Sequence, residues 1–162
     1  MALFATGVTI VTAAGENGHG MTANAFSSVS LDPPIVLCCV SRTARMHEAI
    51  LATRSFAVSI LGAEQSEVAR YFTDRSRPQG SAQFEENGSH PGPRTGAPMI
   101  EGALAWLECD LLEVHEGGDH SIFMGAVLSS ARSGGSEALS FFDGEYHLVG
   151  LTERHRPQLN RP

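Results

Sequence analysis

Apolar and polar positions alternate over short stretches through most of this chain, and only two stretches carry the three-to-four-residue spacing of a helix. The first apolar run, Thr6–Ala14, is rich in β-branched residues and predicts a strand. Glu16-Asn-Gly-His-Gly20 behind it is turn chemistry, so a hairpin into Met21–Leu31 is expected. Asp32-Pro-Pro34 punctuates the chain before Ile35–Val40, whose unbroken apolarity predicts a buried strand. Ser41–Leu51 then opens a helix: Met46, Ala49, Ile50 and Thr53 share one face, and Ser41 or Thr43 can serve as N-cap. Ser55–Leu61 reads as a strand, and Ala63–Phe72 as a second amphipathic helix with Gln65, Val68, Ala69 and Phe72 in line.

From Asp74 to Pro98 the chain is dense in Gly, Pro, Ser and charge, and predicts a long binding or disordered loop. Phe84, its one strong apolar residue, is the candidate anchor or flap. Ala103–Val114 and Ser121–Ser130 predict two paired strands around the tight turn Glu116-Gly-Gly-Asp-His120. Arg132–Glu137 is a loop, and the final segment, Leu139–Leu148, contains Phe141-Phe-Asp-Gly-Glu-Tyr146. No internal repeat or heptad appears. Strands dominate, so the pattern predicts a mainly β antiparallel barrel with two inserted short helices, one domain over 1–150 and a polar tail at 151–162.

Composition narrows the function. The 162 residues carry a formal net charge of −7, and all eleven basic residues are arginines. That balance disfavours nucleic acid, whose backbone demands a basic footprint. No apolar run approaches membrane-spanning length and no signal peptide stands at the start, so no membrane partner is expected. Cys38, Cys39 and Cys109 make no disulfide framework and read as reduced core residues of a cytoplasmic protein; Cys38 and Cys39, adjacent on a strand, face opposite ways. Seven histidines invite a metal, but no pair has a zincin or Cys/His spacing, so none is expected. Walker A, nucleophile-elbow and Gly-x-Gly-x-x-Gly patterns are absent.

The chemically unusual stretch is Gly20-Met-Thr-Ala-Asn-Ala-Phe-Ser-Ser-Val-Ser-Leu-Asp-Pro-Pro34. Small residues leave its backbone reachable, and Thr22, Asn24, Ser27, Ser28 and Ser30 add adjustable donors, which suits a flat heteroaromatic ligand with polar edges. The same composition also fits a plain Ser/Thr-rich barrel strand. Downstream, a helix start flanked by Arg42 and Arg45 is a natural phosphate site, with Arg45 ahead of Arg42; the alternative is two arginines solvating a surface helix.

Phe4-Ala-Thr-Gly-Val-Thr-Ile-Val-Thr12, the Gly20–Pro34 stretch and Gly118-Asp-His-Ser-Ile-Phe-Met-Gly125 together resemble the signatures of the flavin reductase family, in order and spacing, from Phe4 to about Leu148. In that family a helix ordinarily precedes the position of Phe4; this sequence starts almost at the first strand. The resemblance implies the split β-barrel that binds flavin mononucleotide, and reduction of FMN or FAD by NADH or NADPH. Hydride passes to flavin N5, and the reduced flavin is supplied to a partner monooxygenase. A homodimer is also implied. A non-catalytic flavin-binding electron carrier on the same barrel is the alternative. With the small-residue wall and the Arg-flanked helix start, the resemblance assigns flavin binding to Gly18, His19, Gly20, Met21, Thr22, Asn24, Ala25, Cys39, Val40, Ser41, Arg45 and Met46. Tyr71 and Phe72 would lie near the ring or ribose, or else in the core. His120, oriented by Asp119, is expected to hold nicotinamide and to be the catalytic-site side chain; a strand-capping turn histidine is the alternative. Phe141, Phe142, Asp143, Gly144 and Tyr146 resemble the second nicotinamide-side segment, and the two phenylalanines could otherwise be core.

Overall fold

The expected Thr6–Ala14 strand is broken at Val8 into pieces that serve different sheets. A computed structural model describes residues 2–16 and 18–150, so the expected tail at 151–162 lies outside the described residues. β1 (Thr6–Gly7) pairs with a strand near the C-terminus, whereas β2 (Thr9–Ala13) is buried at all five positions. Burial on both faces explains the unbroken apolar run. Val8 and Ile10 sit in one core cluster with Phe72 and Phe84, and Val11 and Ala13 in another with Met46 and Ile50. The two threonines are tolerated because each hydroxyl finds a carbonyl: Thr9 Oγ1 donates to Ala23 O at 2.7 Å and Thr12 Oγ1 to Pro98 O at 2.6 Å.

Met21–Leu31 is likewise divided, at Asn24-Ala25, into β3 (His19–Ala23) and β4 (Phe26–Leu31). β5 (Pro34–Ser41) follows a turn whose Asp32–Pro33 peptide is cis. Then come α1 (Arg45–Thr53), β6 (Ser55–Ile60) and α2 (Ser66–Thr73), the last preceded by a 3₁₀ turn at Ala63–Gln65. The buried face of α1 is Met46, Ala49 and Ile50, as the spacing predicts. Its start is not. The N-cap is Ala44 with no side-chain cap, and the Ser41 and Thr43 hydroxyls bond each other at 3.1 Å instead.

The Asp74–Pro98 excursion is more ordered than its composition predicts. It holds a 3₁₀ turn at Gly80–Phe84 and the strand β7 (Ser89–Pro91), which pairs with β8 (Pro98–Ile100). Phe84 is its anchor, buried against Phe72 with ring centroids 5.6 Å apart. β9 (Ala105–Gly117) and β10 (His120–Arg132) form a long hairpin around Gly118, whose φ of 71° supplies the positive dihedral of that turn. Leu139–Leu148 proves to be a second hairpin, β11 (Ala138–Phe142) and β12 (Glu145–Val149), turned at Asp143-Gly144 with φ of 50° and 84°.

Seven strands join in one antiparallel sheet in the order β3-β2-β6-β9-β10-β5-β4, and β1-β11-β12 make a separate three-stranded sheet. The long sheet is not closed, which makes this a split barrel with the two helices inserted. Phe56, Phe72 and Phe123 are its largest fully buried side chains, each worth about 1.5–3 kcal/mol of transfer free energy. Cys38 and Cys109 lie in the same core, where burial pushes both thiols up to about 12, while Cys39 faces the other way and is half-buried.

Among the described residues, a carboxylate is buried with no cation paired to it. Glu108, 1% exposed on β9, accepts through Oε1 from the Arg94 N–H (2.9 Å), the Thr95 N–H (2.8 Å) and Thr95 Oγ1 (2.9 Å). Its Oε2 accepts from Ser129 Oγ at 2.7 Å. The excursion is thereby tied to the barrel by a carboxylate satisfied through hydrogen bonds alone.

The long hairpin crosses the core where β10 shifts register at Met124/Gly125. A Cβ on Gly125 would stand 2.5 Å from Phe56 Cζ and 2.9 Å from Cys109 Cβ. Gly125→Ala is therefore expected to cost about 1–3 kcal/mol through overpacking, read as a lower urea midpoint at unchanged slope. A midpoint equal to wild type would show that Phe56 has room to withdraw.

Candidate functional site

β3, the segment Ser41–Arg45 and the excursion around Arg75–Gln79 enclose a cleft of about 460 Å³. Its wall carries three arginines, Arg45, Arg75 and Arg77, with His19, and no carboxylate. The hydroxyls of Thr22, Ser41, Thr43 and Thr73 also line it. In a chain of net charge −7 such a wall selects an anion, and α1 adds the partial positive charge of its N-terminus at Arg45.

Arg77 organises this wall. It is 8% exposed, lies 5.5 Å over the Phe72 ring, and donates to the Gly20 and Asp74 carbonyls. The same guanidinium is 3.3 Å from His19 Nε2. A guanidinium has only donors, so Nε2 must be the acceptor and the imidazole proton sits on Nδ1. Burial first, then the charges of Arg77 and Arg45, push His19 down to about 4 from the ordinary 6.5. His19 is therefore neutral at physiological pH. Gln83 completes the tie: the Gly20 N–H donates to its Oε1 at 2.9 Å, and its Nε2 donates to the carbonyls of Gly18 (3.1 Å) and Gly80 (2.8 Å).

Of the residues expected to bind flavin, His19, Met21, Thr22, Ser41, Arg45 and Phe72 line this cleft. Gly18 lines a neighbouring one, and Asn24 shares a niche of about 180 Å³ with Thr22. Gly20 is enclosed, since a Cβ there would meet Phe72 at 2.6 Å. Val40 and Met46 point into the core with 0% exposure, so their side chains reach no ligand. Tyr71 packs edge-on against Phe72, off the cleft wall. Ala25 and Cys39 meet through backbone, the Cys39 N–H donating to Ala25 O at 2.9 Å. Arg42 turns to the β9–β10 turn, its N–H on Asp119 O at 3.0 Å and its side chain 4.0 Å from Glu116.

On the other side, His120 Nδ1 is 2.8 Å from Asp119 Oδ1. The carboxylate only accepts, so His120 carries its proton on Nδ1, and that bond holds the Asp119 carboxyl below its usual range. His120 stands opposite Ser41 in the β5–β10 register, and opposed residues share a face of the sheet. This places it on the side where Ser41 meets the cleft, although it lines neither the cleft nor the niche. Phe141 and Tyr146 meet edge-on, ring centroids 5.4 Å apart, and wall the niche, with Thr22 and Thr73 common to both spaces. Phe142 lies outward against His147, and Asp143 and Gly144 form the hairpin turn.

The profile of the flavin reductase like domain family matches residues 1–150. The chain belongs to that family. It is 48% identical over 143 residues to the NADH-dependent FAD reductase of Streptomyces globisporus, covering 88% of this chain and 79% of that protein. BorF, the flavin reductase component of a bacterial two-component tryptophan halogenase, superposes with a TM-score of 0.89 at 46% identity, covering 93% of this chain and 94% of that one. The Streptomyces globisporus C-1027 NADH:FAD oxidoreductase SgcE6, solved in complex with NAD and FAD fragments, superposes with a TM-score of 0.84 at 42% identity over 98% and 90%.

In this flavin reductase like domain the residues that sequence reasoning missed are Thr43, Thr73, Arg75, Arg77, Gln79 and Gln83. All but Thr43 and Thr73 come from the excursion. A signal existed. Arg75-Ser-Arg-Pro-Gln79 is a local basic cluster in an acidic chain, directly behind the α2 end that already carried Tyr71 and Phe72.

His19 gives the site a pH signature. Its folded pKa lies below the unfolded one, so its contribution to stability is full above about 6.5 and is lost as pH falls through about 4. Unfolding should take up as much as one extra proton in that window, and His19→Gln should flatten the acid limb of urea midpoint against pH. The facing groups are Arg45, Arg75, Arg77, Glu16 and Glu48, and the last two must be carried unchanged in the variant. Identical acid limbs would mean that His19 is as readily charged folded as unfolded.

Proposed function

We propose that this chain is an NADH-dependent flavin reductase, an oxidoreductase that supplies reduced flavin to a flavin-dependent oxygenating or halogenating partner. The observation that carries the reading is the carboxylate-free cleft with Arg45, Arg75, Arg77 and neutral His19. It fits the phosphate end of a flavin, and it leaves Met21, Thr22 and Phe72 to meet the less polar parts of the ligand. A flavin held here would supply its N5 as the acceptor of a hydride, one proton with two electrons, from a dihydronicotinamide.

The chain's own residues bind and orient. Arg45 and Arg75 hold the anion, and Arg77 holds the wall in shape. Thr22 offers its oxygen to the cleft while its hydroxyl proton is taken by Ala69 O at 2.7 Å. His120, fixed as the Nδ1–H form by Asp119, presents Nε2 as an acceptor for the nicotinamide amide. Phe141 and Tyr146 offer aromatic contact in the adjoining niche. No side chain need transfer a proton in the hydride step. Nothing in the geometry favours the electron-carrier alternative, which requires no nicotinamide side.

The direct experiment mixes purified protein with NADH and FMN or FAD without oxygen and follows bleaching of the flavin band. Bleaching far faster than the protein-free control is expected. His120→Ala should lower kcat/KM for NADH roughly five- to two-hundredfold, the worth of one positioning hydrogen bond, with flavin affinity kept. No bleaching by the wild type defeats the enzyme reading. An unaltered KM and kcat in the variant returns His120 to a turn residue.

A homodimer completes the reading. On the sheet face away from the core, Leu37 stands opposite Met124, Cys39 opposite Ile122 and Ile35 opposite Ala126, all half-buried. The adjoining edge strand β4 exposes Val29 and, at 89%, Leu31, while its residues opposite Leu37 and Ile35 on that face are Ser27 and Ser30. The apolar row on β5 and β10 supports a twofold partner of the same chain. Light scattering should give twice the chain mass, and a monomer that still reduces flavin would remove the dimer. The three free cysteines suit the reducing cytoplasm, which we propose as its location.

A further inference from the structure

His120 is gripped through both of its neighbours in the chain. The residue before it, Asp119, accepts through its carbonyl from the Arg42 N–H at 3.0 Å. The residue after it, Ser121, meets His47 Nε2 through its hydroxyl at 2.9 Å. Arg42 and His47 in turn bracket Arg45 in sequence. These contacts join the segment that carries the phosphate-facing arginine to the turn that carries the nicotinamide-facing histidine. We propose that His47 is a positioning residue for hydride transfer: through Ser121 it fixes where Arg45 sits relative to His120, and with it the alignment of hydride donor and acceptor. The inference rests on the flavin reading above.

Ser121 is where such a hold can act. It stands opposite Val40 in the β5–β10 register, on the core side, whereas His120 one residue earlier points the other way. A contact there holds the strand and leaves the outward imidazole clear. Ser121 is 5% exposed, and His47 is its one side-chain hydrogen-bond partner among the described residues. A hydroxyl at that depth has little water to turn to, so the bond is kept. The imidazole is seated by Phe123, edge-on with ring centroids 5.1 Å apart. His47 lines neither the 460 Å³ cleft nor the 180 Å³ niche, so it acts on ligands only through the elements it joins.

The start of α1 needs this contact. Its N-cap, Ala44, has no side-chain group to offer, and the Ser41 and Thr43 hydroxyls are turned to each other. The first N–H groups of a helix have no intrahelical partners, so a turn without a side-chain cap is loosely held. Met46, Ala49 and Ile50 bury the helix against the core, but apolar packing is non-directional and does not fix small shifts along the groove. A directional hydrogen bond at His47, two residues beyond Arg45, does. The Arg42 contact is made by backbone and survives any substitution at 47, so loss of His47 should displace Arg45 only in part. A misplacement of about 1 Å can cost roughly a hundredfold in rate, which sets the upper bound of the effect.

The test is anaerobic stopped-flow reduction of flavin by saturating NADH, with FMN or FAD, whichever wild type reduces faster. The variants are His47→Leu, His47→Gln, Ser121→Ala and His47→Leu combined with Ser121→Ala. Leucine fills similar space without the nitrogen, whereas glutamine ends in both a donor and an acceptor and replaces Nε2 in either role. His47→Leu and Ser121→Ala should each slow reduction about three- to thirtyfold, with flavin affinity within about twofold of wild type. The slowed step should keep a deuterium isotope effect at the transferred hydrogen at least as large as in wild type, which a general loss of stability would not produce. His47→Gln should stay within about twofold of wild type, and the double variant should be no slower than the slower single one. Wild-type rates in both single variants, a loss confined to flavin affinity, additive losses in the double variant or no recovery with glutamine overturns the positioning role while the enzyme reading stands. If wild type reduces neither flavin, that reading falls and this inference with it. Should His47→Leu fail to fold, Ser121→Ala and His47→Gln decide.

Discussion

β3 is an edge strand, and the outward backbone groups of an edge must find partners somewhere. Here the partners are two side chains. Gln83 takes the Gly20 N–H and the Gly18 carbonyl, and Arg77 takes the Gly20 carbonyl. No second strand could do this and leave the cleft open. The excursion therefore lies on the edge as a set of side-chain contacts, its 3₁₀ turn at Gly80–Phe84 aiming Gln83 inward and seating Phe84 on Phe72. Gly20 has no side chain because Phe72 and Phe84 occupy the place where one would go.

That arrangement also explains how an acidic chain keeps a basic hollow. Arg77 is committed to backbone carbonyls, which balance its burial without cancelling its charge, since no carboxylate among the described residues bonds it. Burial, and after it the field of this charge with that of Arg45, keeps His19 neutral. A wall of this sign set in a negative surface draws anionic ligands inward and suppresses loose association elsewhere. The hollow's chemistry is a by-product of satisfying a strand edge.

Much of this was legible from residue order. The apolar faces of both helices, the opposite facing of Cys38 and Cys39, and the turn that pairs Asp119 with His120 follow from periodicity and local chemistry. What escaped has a common cause. Arg77, Gln79 and Gln83 act over long sequence separations, as in the 57 positions from Arg77 to Gly20, and no local pattern encodes such a contact. Val40 and Met46 sit within the motif region yet face inward, because a contiguous motif includes both faces of a strand. The Asp143-Gly144 hairpin was within reach, since Asp-Gly between apolar runs is a strong turn signal, and it was read through as one segment.

Glu108 has a consequence for how this chain can drift over generations. Its carboxylate is gripped by Thr95, Arg94 and Ser129, three positions on two different elements, and a Cβ at Gly92 would stand only 2.2 Å from Oε1. Replacing either hydroxyl donor, Thr95 or Ser129, takes a hydrogen bond from the buried charge, whereas exchanging Glu108, Thr95 and Ser129 together for apolar residues of matching shape can be nearly neutral. These positions form a historical ratchet: reachable as a group, hard to leave one codon at a time.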